Sequence, residues 1–432
     1  DGQEDLCFAT WRPSSGSRRF TALIVAPIPP EEGDRTIHGN VSFSGAYIER
    51  AATIAQRAGL GLALVHTHPL GLGWQGMSPD DIAAEARIAF TAAGATGYPL
   101  VGLTTTNDGS YSARIWERVA PKRYRSREAE SVRVVGRCLR ITRPTVERNT
   151  DGALERTESV WGRVGQDALA QLRVGIAGLG SVGSCVAEGL ARMGFENVVL
   201  VDRDVVEIRN LDRLLNATRR DLGRLKVDVA RDALLDHRTA LSGTVTAVSA
   251  WCDEESGYRS LLDCDAIFSC VDRPWPRRVL NQLSYANLVP IVDGGILVRK
   301  RGDRLIGADW HAHTSGPHRR CLKCLAAFDP GDAAVDRDGL LDNPGYIKQL
   351  DPRHPLIAKE NVFPFSTHVA SMELLQLAAM VVGPQHYIGD QNHHYATGKT
   401  DVTQNAFCEA DCPFYAVTAQ GDAATPPLRT TM

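Results

Sequence analysis

The sequence predicts an α/β protein of two domains, the second built on a doubly wound sheet. Three observations carry this reading. The chain is 432 residues long, beyond what one hydrophobic core commonly supports, since domains cluster at roughly 100 to 150 residues. Apolar strand-like runs alternate with helical sequence in both halves, and between the halves the composition shifts to arginine-rich and polar. In the second half a strand, a glycine turn and a helix follow one another directly, as a βαβ unit requires.

The elements follow in chain order. Residues 20–27 are a β-branched apolar run, 44–58 read as a helix and 61–68 as a buried strand. The Ala-rich stretch 81–93 is helical, and 99–105 with 111–116 form a hairpin about Asn107-Asp108-Gly109-Ser110. One α/β domain is therefore expected over 1–118. Breakers at Pro121, Pro144 and Asn149-Thr150-Asp151-Gly152 mark 119–154 as a linker, although 132–141 has the pattern of a short strand pair. A helical pattern from Glu155 leads to the strand 174–177, a helix to Met193 and the strand 198–201, and further strands at 245–250, 266–270 and 290–293 are separated by helical sequence. The second domain is expected over 155–417, and the Thr-, Pro- and Ala-rich tail 418–432 is expected to be disordered.

Composition narrows the function classes. A formal net charge of -3 with 23% charged residues lacks the basic excess of a nucleic-acid binder. The longest apolar runs, such as 374–382 with Gln376 inside it, fall short of the ~20 residues that span a bilayer, so no membrane partner is expected. Ten cysteines, four of them in two close pairs, suit a reducing compartment with one metal site, and the cytoplasm is the expected location. The chain opens on Asp1 rather than Met, which reads as a processed or trimmed sequence.

His66-Thr67-His68-Pro69 closes the buried strand of the first domain. Side chains alternate along a strand, so His66 and His68 share a face and can offer two imidazole nitrogens to one ion. Asp81 opens the following helix, where its carboxylate can turn back as a third ligand and leave the fourth position to water, as catalytic zinc requires. Ser78-Pro79-Asp80-Asp81 is equally a good helix start, with Ser as N-cap and Pro at N1. Taken together, these residues resemble the JAB/JAMM (MPN) metallopeptidases, whose signature is H-[ST]-H-P followed by S-x-x-D. The resemblance implies a zinc (iso)peptidase acting on ubiquitin-like proteins. It gives Ser78 the tetrahedral oxyanion, and it calls for a glutamate on an early strand as proton acceptor, here Glu4, with Glu31, Glu32 and Glu49 as rivals. The loop 70–77 is a couple of residues longer than that family's.

Gly178-Leu179-Gly180-Ser181-Val182-Gly183 follows a strand and opens a helix, and Asp202 ends the next strand. That context makes a dinucleotide or nucleotide site, in which Gly178, Gly180 and Gly183 let backbone amides approach phosphate and Asp202 faces ribose hydroxyls. Asn210, Arg213 and Lys226 come soon after, and Asp272 ends a later strand. Two cations and a further carboxylate suit a triphosphate with Mg2+ better than hydride transfer, so ATP is preferred. With Asp204 these positions resemble the ThiF/MoeB and ubiquitin-activating superfamily. The resemblance implies that a ubiquitin-like protein is adenylated at its terminal glycine, with Arg213 and Lys226 neutralising phosphate and Asp272 holding Mg2+. It also implies a homodimer, in which Arg156 reaches the partner's site.

Cys321, Cys324, Cys408 and Cys412 can close a tetrahedral structural zinc site, although the last pair has three spacers where the family has two. Family members that form a thioester carry a cysteine in the crossover loop, here about 326–361, and this stretch has none. Cys185, Cys264 and Cys270 read as core, and Ser366 and His368 as substitute nucleophiles. The expected function is bifunctional: peptidase processing of a ubiquitin-like protein, and ATP-dependent activation of its tail, with a ubiquitin-carrier-type protein as a further partner. The alternatives are sulfur-carrier activation through a thiocarboxylate, and an adenylating fold that only docks substrate for the peptidase.

Overall fold

The computed structural model describes residues 2–38, 40–144, 148–351, 354, 356, 360–383, 388–404 and 407–429. It falls into two units, one of Asp1–Ser14, Thr21–Val134 and Arg140–Glu147, the other of Ser15–Phe20, Val135–Leu139 and Arg148–Met432.

In the first unit β1 (Leu6–Ser15) and β2 (Phe20–Ile28) precede a short hairpin of β3 (Arg35–His38) and β4 (Asn40–Phe43). There follow α1 (Gly45–Ala58), β5 (Gly61–His68), α2 (Pro79–Thr96), β6 (Leu100–Thr106), β7 (Tyr111–Ala120) and β8 (Arg123–Glu128). A second short hairpin, β9 (Val132–Val135) and β10 (Leu139–Thr142), closes the run. The sheet order is β2-β1-β5-β6-β7-β8. β5 and β6 are parallel, with α2 as their crossover, and β1 lies antiparallel to β5. Ser44 caps α1 by accepting from the Tyr47 amide, and Gly59 ends it at φ 65°, a left-handed position that glycine fills without strain. One face of the sheet buries Phe8, Leu62, Leu64 and Trp116 with Tyr47 of α1 and Ile88 of α2.

The expected linker 119–154 is not one. β8 is the edge strand of the first sheet, and its alternate arginines Arg123, Arg125 and Arg127 are what an exposed edge carries to discourage further pairing. A run of surface charge therefore looked like solvated linker although it was half of a β-ladder.

The second unit opens with α3 (Glu155–Ala170), β11 (Arg173–Ala177), α4 (Ser181–Arg192), β12 (Asn197–Val201), α5 (Lys226–His237) and β13 (Thr244–Val248). It continues with α6 (Glu255–Leu262), β14 (Ala266–Ser269), α7 (Pro274–Asn287), β15 (Ile291–Arg301) and β16 (Arg304–Ser315). Two short helices, α8 (Pro330–Arg337) and α9 (Pro344–Ile347), lead to the long α10 (Phe363–Val382), then β17 (Asp390–His394), β18 (Lys399–Thr403) and α11 (Pro413–Ala416).

The strand order is β13-β12-β11-β14-β15-β16-β17-β18. The first five strands are parallel and the last three antiparallel. The chain winds from β11 out to β13, then returns past β11 to β14 and β15. Right-handed crossovers place the helices of the two windings on opposite faces, and the direction reverses between β11 and β14, the switch point where such sheets bind ligands.

α10 reaches span length and is apolar enough for a bilayer, which the shorter run in the sequence did not suggest. Its buried Ser366, Glu373 and Gln376, and its packing on β15, β16 and α4, mark it as a core helix of this unit. The tail also differs from expectation over 418–429. Leu428 packs on the core that includes Trp275 and Phe414, and Arg429 pairs with the buried Asp253 and Asp336. Its Thr-, Pro- and Ala-rich composition marked the tail as disordered, but one arginine meeting two carboxylates ties it down. Residues 430–432 lie outside the described residues.

Candidate functional site

β5 delivers both histidines to one point. His66 Nε2 and His68 Nε2 are 3.2 Å apart, and Asp81 Oδ2 lies 3.9 Å from the first and 3.6 Å from the second. Ligands held about 2.0–2.1 Å from a tetrahedral zinc stand roughly 3.3 Å from one another, so the three donors need shifts of only a few tenths of an ångström to fit. The helix-cap reading of Ser78 also holds. Its hydroxyl accepts from the Asp81 amide at 3.1 Å while Asp81 Oδ2 accepts from the Ser78 amide at 3.0 Å, a complete capping box. The cap that starts α2 thus holds Asp81 beside the imidazoles.

Electrostatics prepare the donors. Burial, with help from the Arg114 and His68 charges, pushes His66 down to about 4, so its imidazole is neutral near pH 7 and keeps a lone pair for a metal. Burial opposes ionisation of Asp81, but the Ser78 hydrogen bonds and the two imidazoles outweigh it and hold the carboxyl below its ordinary value.

Glu4 lies just before β1. Pairing continues past Leu6↔His66, since the Thr67 amide donates to Asp5 O at 2.9 Å, and extending that register sets Glu4 opposite His68. Of its rivals, Glu31 is paired with Arg50, Glu32 sits in an exposed turn and Glu49 lies on α1. Sequence reasoning missed the group beneath the site. Glu85, fully buried on α2, accepts from Arg114 Nε at 2.9 Å and Trp116 Nε1 at 2.6 Å, and its Oε1 is 4.0 Å from His66 Nδ1. The available signal was spacing, because a residue four positions after Asp81 shares its helix face. Beside this network Trp74, Met77, Ile82, Ser112 and Glu128 line a cavity of about 150 Å³.

In the second unit the glycine turn sits at the switch point. Gly178 has φ +90°, and a Cβ there would stand 2.7 Å from Cys270 O, so the loop after β11 presses on the loop after β14. A Cβ on Gly183 would meet Gly178 O at 2.0 Å, whereas one on Gly180 meets nothing within 4 Å. Two glycines therefore serve close packing, and the third keeps an open approach to the N-terminus of α4. Asp202 is buried and engaged by the turn itself, accepting from the Leu179 amide at 2.6 Å and the Asp204 amide at 2.7 Å. Burial outweighs Lys226 and these amides and raises its carboxyl above the ordinary range.

Lys226, at the start of α5, pairs with Asp204 at 2.7 Å. Arg213 donates to Arg209 O and pairs with Asp212, while Asn210 Oδ1 accepts from the Glu207 amide. Asp272 is exposed beyond β14, on the far side of the switch point from the glycines. Arg156 is exposed on the first turn of α3.

The four cysteines converge as well. Their sulfurs lie within 4.8 Å of one another, with Cys321 and Cys412 at 3.5 Å, against roughly 3.8 Å for thiolates about 2.3 Å from a tetrahedral zinc. The extra spacer of the second pair does not prevent closure. Residues 154–412 match the model of the ThiF family.

The chain belongs to the ThiF family. Among relatives, the ThiF unit is similar to the molybdopterin-synthase adenylyltransferase of Escherichia coli K12, with 34% identity over 162 residues, 38% of this chain and 61% of that protein. It is also similar to the tRNA threonylcarbamoyladenosine dehydratase of Bacillus subtilis 168, 40% identical over 81 residues, 19% of this chain and 32% of that one. The matches thus span less than two thirds of these relatives' length. Among solved structures, E. coli MccB with MccA-N7isoASN aligns at TM-score 0.47 and 17% identity, covering 62% of this chain and 77% of that one.

Two residues considered as substitute nucleophiles in the ThiF unit have structural partners. Ser366 is fully buried and accepts from Asn361 Nδ2, which also donates to Ser181 Oγ in the glycine turn. His368 packs edge-on against Trp310.

Proposed function

We propose that the ThiF unit adenylates the C-terminal carboxylate of a ubiquitin-like or sulfur-carrier protein, and that the first unit is a JAB/JAMM-type zinc peptidase that releases or trims such a tail. The observation that supports the first half is the glycine turn at the switch point, with Asp202 held by the Leu179 amide and Lys226 paired with Asp204, in a chain of the ThiF family that is similar to an adenylyltransferase. The amides at the start of α4 would receive the phosphates at the open face of Gly180. Lys226 would exchange Asp204 for phosphate, Arg213 would join it, Asn210 would complete the pocket and Asp272 would hold Mg2+. The tail carboxylate then attacks the α-phosphate and pyrophosphate leaves.

In the first unit, His66, His68 and Asp81 would hold zinc, which supplies a nucleophilic water at neutral pH. Glu4 would accept that water's proton and pass it to the leaving amine, and Ser78 would donate to the oxyanion of the tetrahedral carbon. Cys321, Cys324, Cys408 and Cys412 would hold a second, structural zinc. The reading extends to a cytoplasmic homodimer in which Arg156 reaches across, and to a ubiquitin-carrier-type acceptor.

The test is ATP–pyrophosphate exchange that depends on the cognate carrier protein and is lost in Asp272→Ala, with two zinc ions per chain, one of them lost in His66→Ala. Exchange without carrier dependence, or a single zinc, would count against the respective half. A second reading, sulfur carriage, is favoured by the lack of cysteine over 326–361. Mass spectrometry of the tail separates the two: a thiocarboxylate marks sulfur transfer, an amide or ester to a target marks conjugation. Binding of the carrier without exchange would leave the ThiF unit a docking module.

A further inference from the structure

We propose that Glu85 is the positioning residue of the metal ligand His66, accepting its Nδ1–H when Nε2 binds a divalent transition metal. The inference rests on the metal reading of His66, His68 and Asp81. Both Nε2 atoms point to the common site, which turns Nδ1 of His66 the opposite way, toward Glu85 Oε1. Glu85 has room for this bond. A carboxylate offers about four lone-pair sites; Arg114 Nε and Trp116 Nε1 occupy Oε2, and the second Arg114 nitrogen occupies one site on Oε1. The remaining site on Oε1 faces the imidazole.

Thr104 Oγ1, which accepts from Arg114 at 2.6 Å, lies 3.3 Å from His66 Nε2. With a metal ion on Nε2 the ring proton would sit on Nδ1, the nitrogen on the Glu85 side. The Nδ1–Oε1 separation is 4.0 Å, longer than a hydrogen bond, so His66 and Glu85 would have to approach by about 1 Å to make this bond.

Room for the carboxylate is built into β6. A Cβ at Gly102 would stand 2.4 Å from Glu85 Oε2 and 2.7 Å from Arg114 Nε. Glycine weakens a strand interior, and here its absent side chain is the space the ion pair fills. A carboxylate that served only to neutralise Arg114 would not need to aim a free lone pair at a ligand nitrogen.

The experiment compares zinc affinity of the full chain and of Glu85→Gln by competition with a chromophoric chelator, with cobalt substitution separating the two sites through the thiolate charge-transfer bands. Loss of the outer-shell carboxylate is expected to weaken the histidine site about 10- to 100-fold and leave the cysteine site unchanged. In the cobalt-loaded chain the hyperfine-shifted His66 Nδ1–H should exchange slowly, and in Glu85→Gln it should exchange fast. A folded Glu85→Gln with unchanged metal affinity and an unchanged N–H signal overturns the proposal. Should Glu85→Gln fail to fold, Trp116→Phe removes one donor and keeps the ion pair. A severalfold weaker histidine site then supports the role, and an unchanged one rejects it. If the wild-type chain binds metal only at the cysteines, the metal reading itself is what fails.

Discussion

Gly180 and Gly183 sit three residues apart in one turn and carry different loads. Gly183→Ala puts a methyl 2.0 Å from Gly178 O, and Gly178→Ala puts one 2.7 Å from Cys270 O at a positive φ, so both should lower Tm by several degrees. Gly180→Ala has open space, and its chain should melt as wild type while ATP binding falls at least tenfold, read by calorimetric titration. Equal Tm losses at all three would contradict this division. The glycine pattern was legible from sequence because it prescribes backbone geometry. Glu85 and Arg114 were not, because a glutamate within an Ala-rich helix and an arginine in a strand look like solvent-facing charges until the fold sets them against each other. Asp202 was placed correctly at the end of its strand, but that the Leu179 amide of the glycine turn and the Asp204 amide hold it depends on how the loops close.

At the level of elements, the capping box of α2 couples stability to the proposed metal site. Ser78→Ala removes a cap of about 1 kcal/mol and frees the Asp81 carboxylate, so the chain should lose both a few degrees of Tm and part of its affinity at the histidine site. Loss of Tm alone would separate cap from site. The interior of the ThiF unit sets a pH dependence. Burial disfavours the Asp293 carboxylate, but Arg277, His311 and Ser269 outweigh it and hold it at about 2. A depressed carboxyl stabilises above its unfolded value of about 4 and loses that stability as pH falls from there to 2, a contribution of roughly 2 kcal/mol. Glu373, buried on α10 near Asp293, is raised well above the ordinary range by desolvation and then by that charge. A raised carboxyl favours the neutral form in the fold, so it costs stability as pH rises above the unfolded value of about 4.5. Glu373→Gln should flatten the loss of Tm between pH 5 and 8, and a slope equal to wild type would show that another group titrates. β2, β5 to β7 and β11 to β15 were legible from their apolar runs, whereas β3, β4, β8 and β16 were not read as strands. β17 and β18, of His, Asn, Asp and Thr, were not, because they lie at the antiparallel margin where pairing rather than burial defines a strand.

At the scale of the molecule, sequence composition misjudged the described residues of two stretches, 119–154 and 418–429, because composition does not show which arginines find partners in the fold. The tail offers the sharper test. Arg429 Nε lies 2.6 Å from Asp253 Oδ2 and its other nitrogen 3.1 Å from Asp336 Oδ1, and both carboxylates are almost wholly buried. Asp336 keeps Arg273 and the Trp275 amide when Arg429 is gone, but Asp253 is left with a buried charge. Burial already raises the Asp253 carboxyl, and Arg429 is its main counterweight. Removing one partner of a buried pair costs about 3–5 kcal/mol, and the 27% exposure of Arg429 places this one at or below the lower end. Arg429→Ala should therefore destabilise the chain by about 2–3 kcal/mol at pH 7, measured by urea unfolding, and by less near pH 4, since burial raises the Asp253 carboxyl and favours its neutral form. Arg429→Ala with Asp253→Asn should recover most of the loss, since an amide carries no charge to strand. A single variant indistinguishable from wild type at both pH values would mean that the tail is held by Leu428 and its apolar neighbours alone.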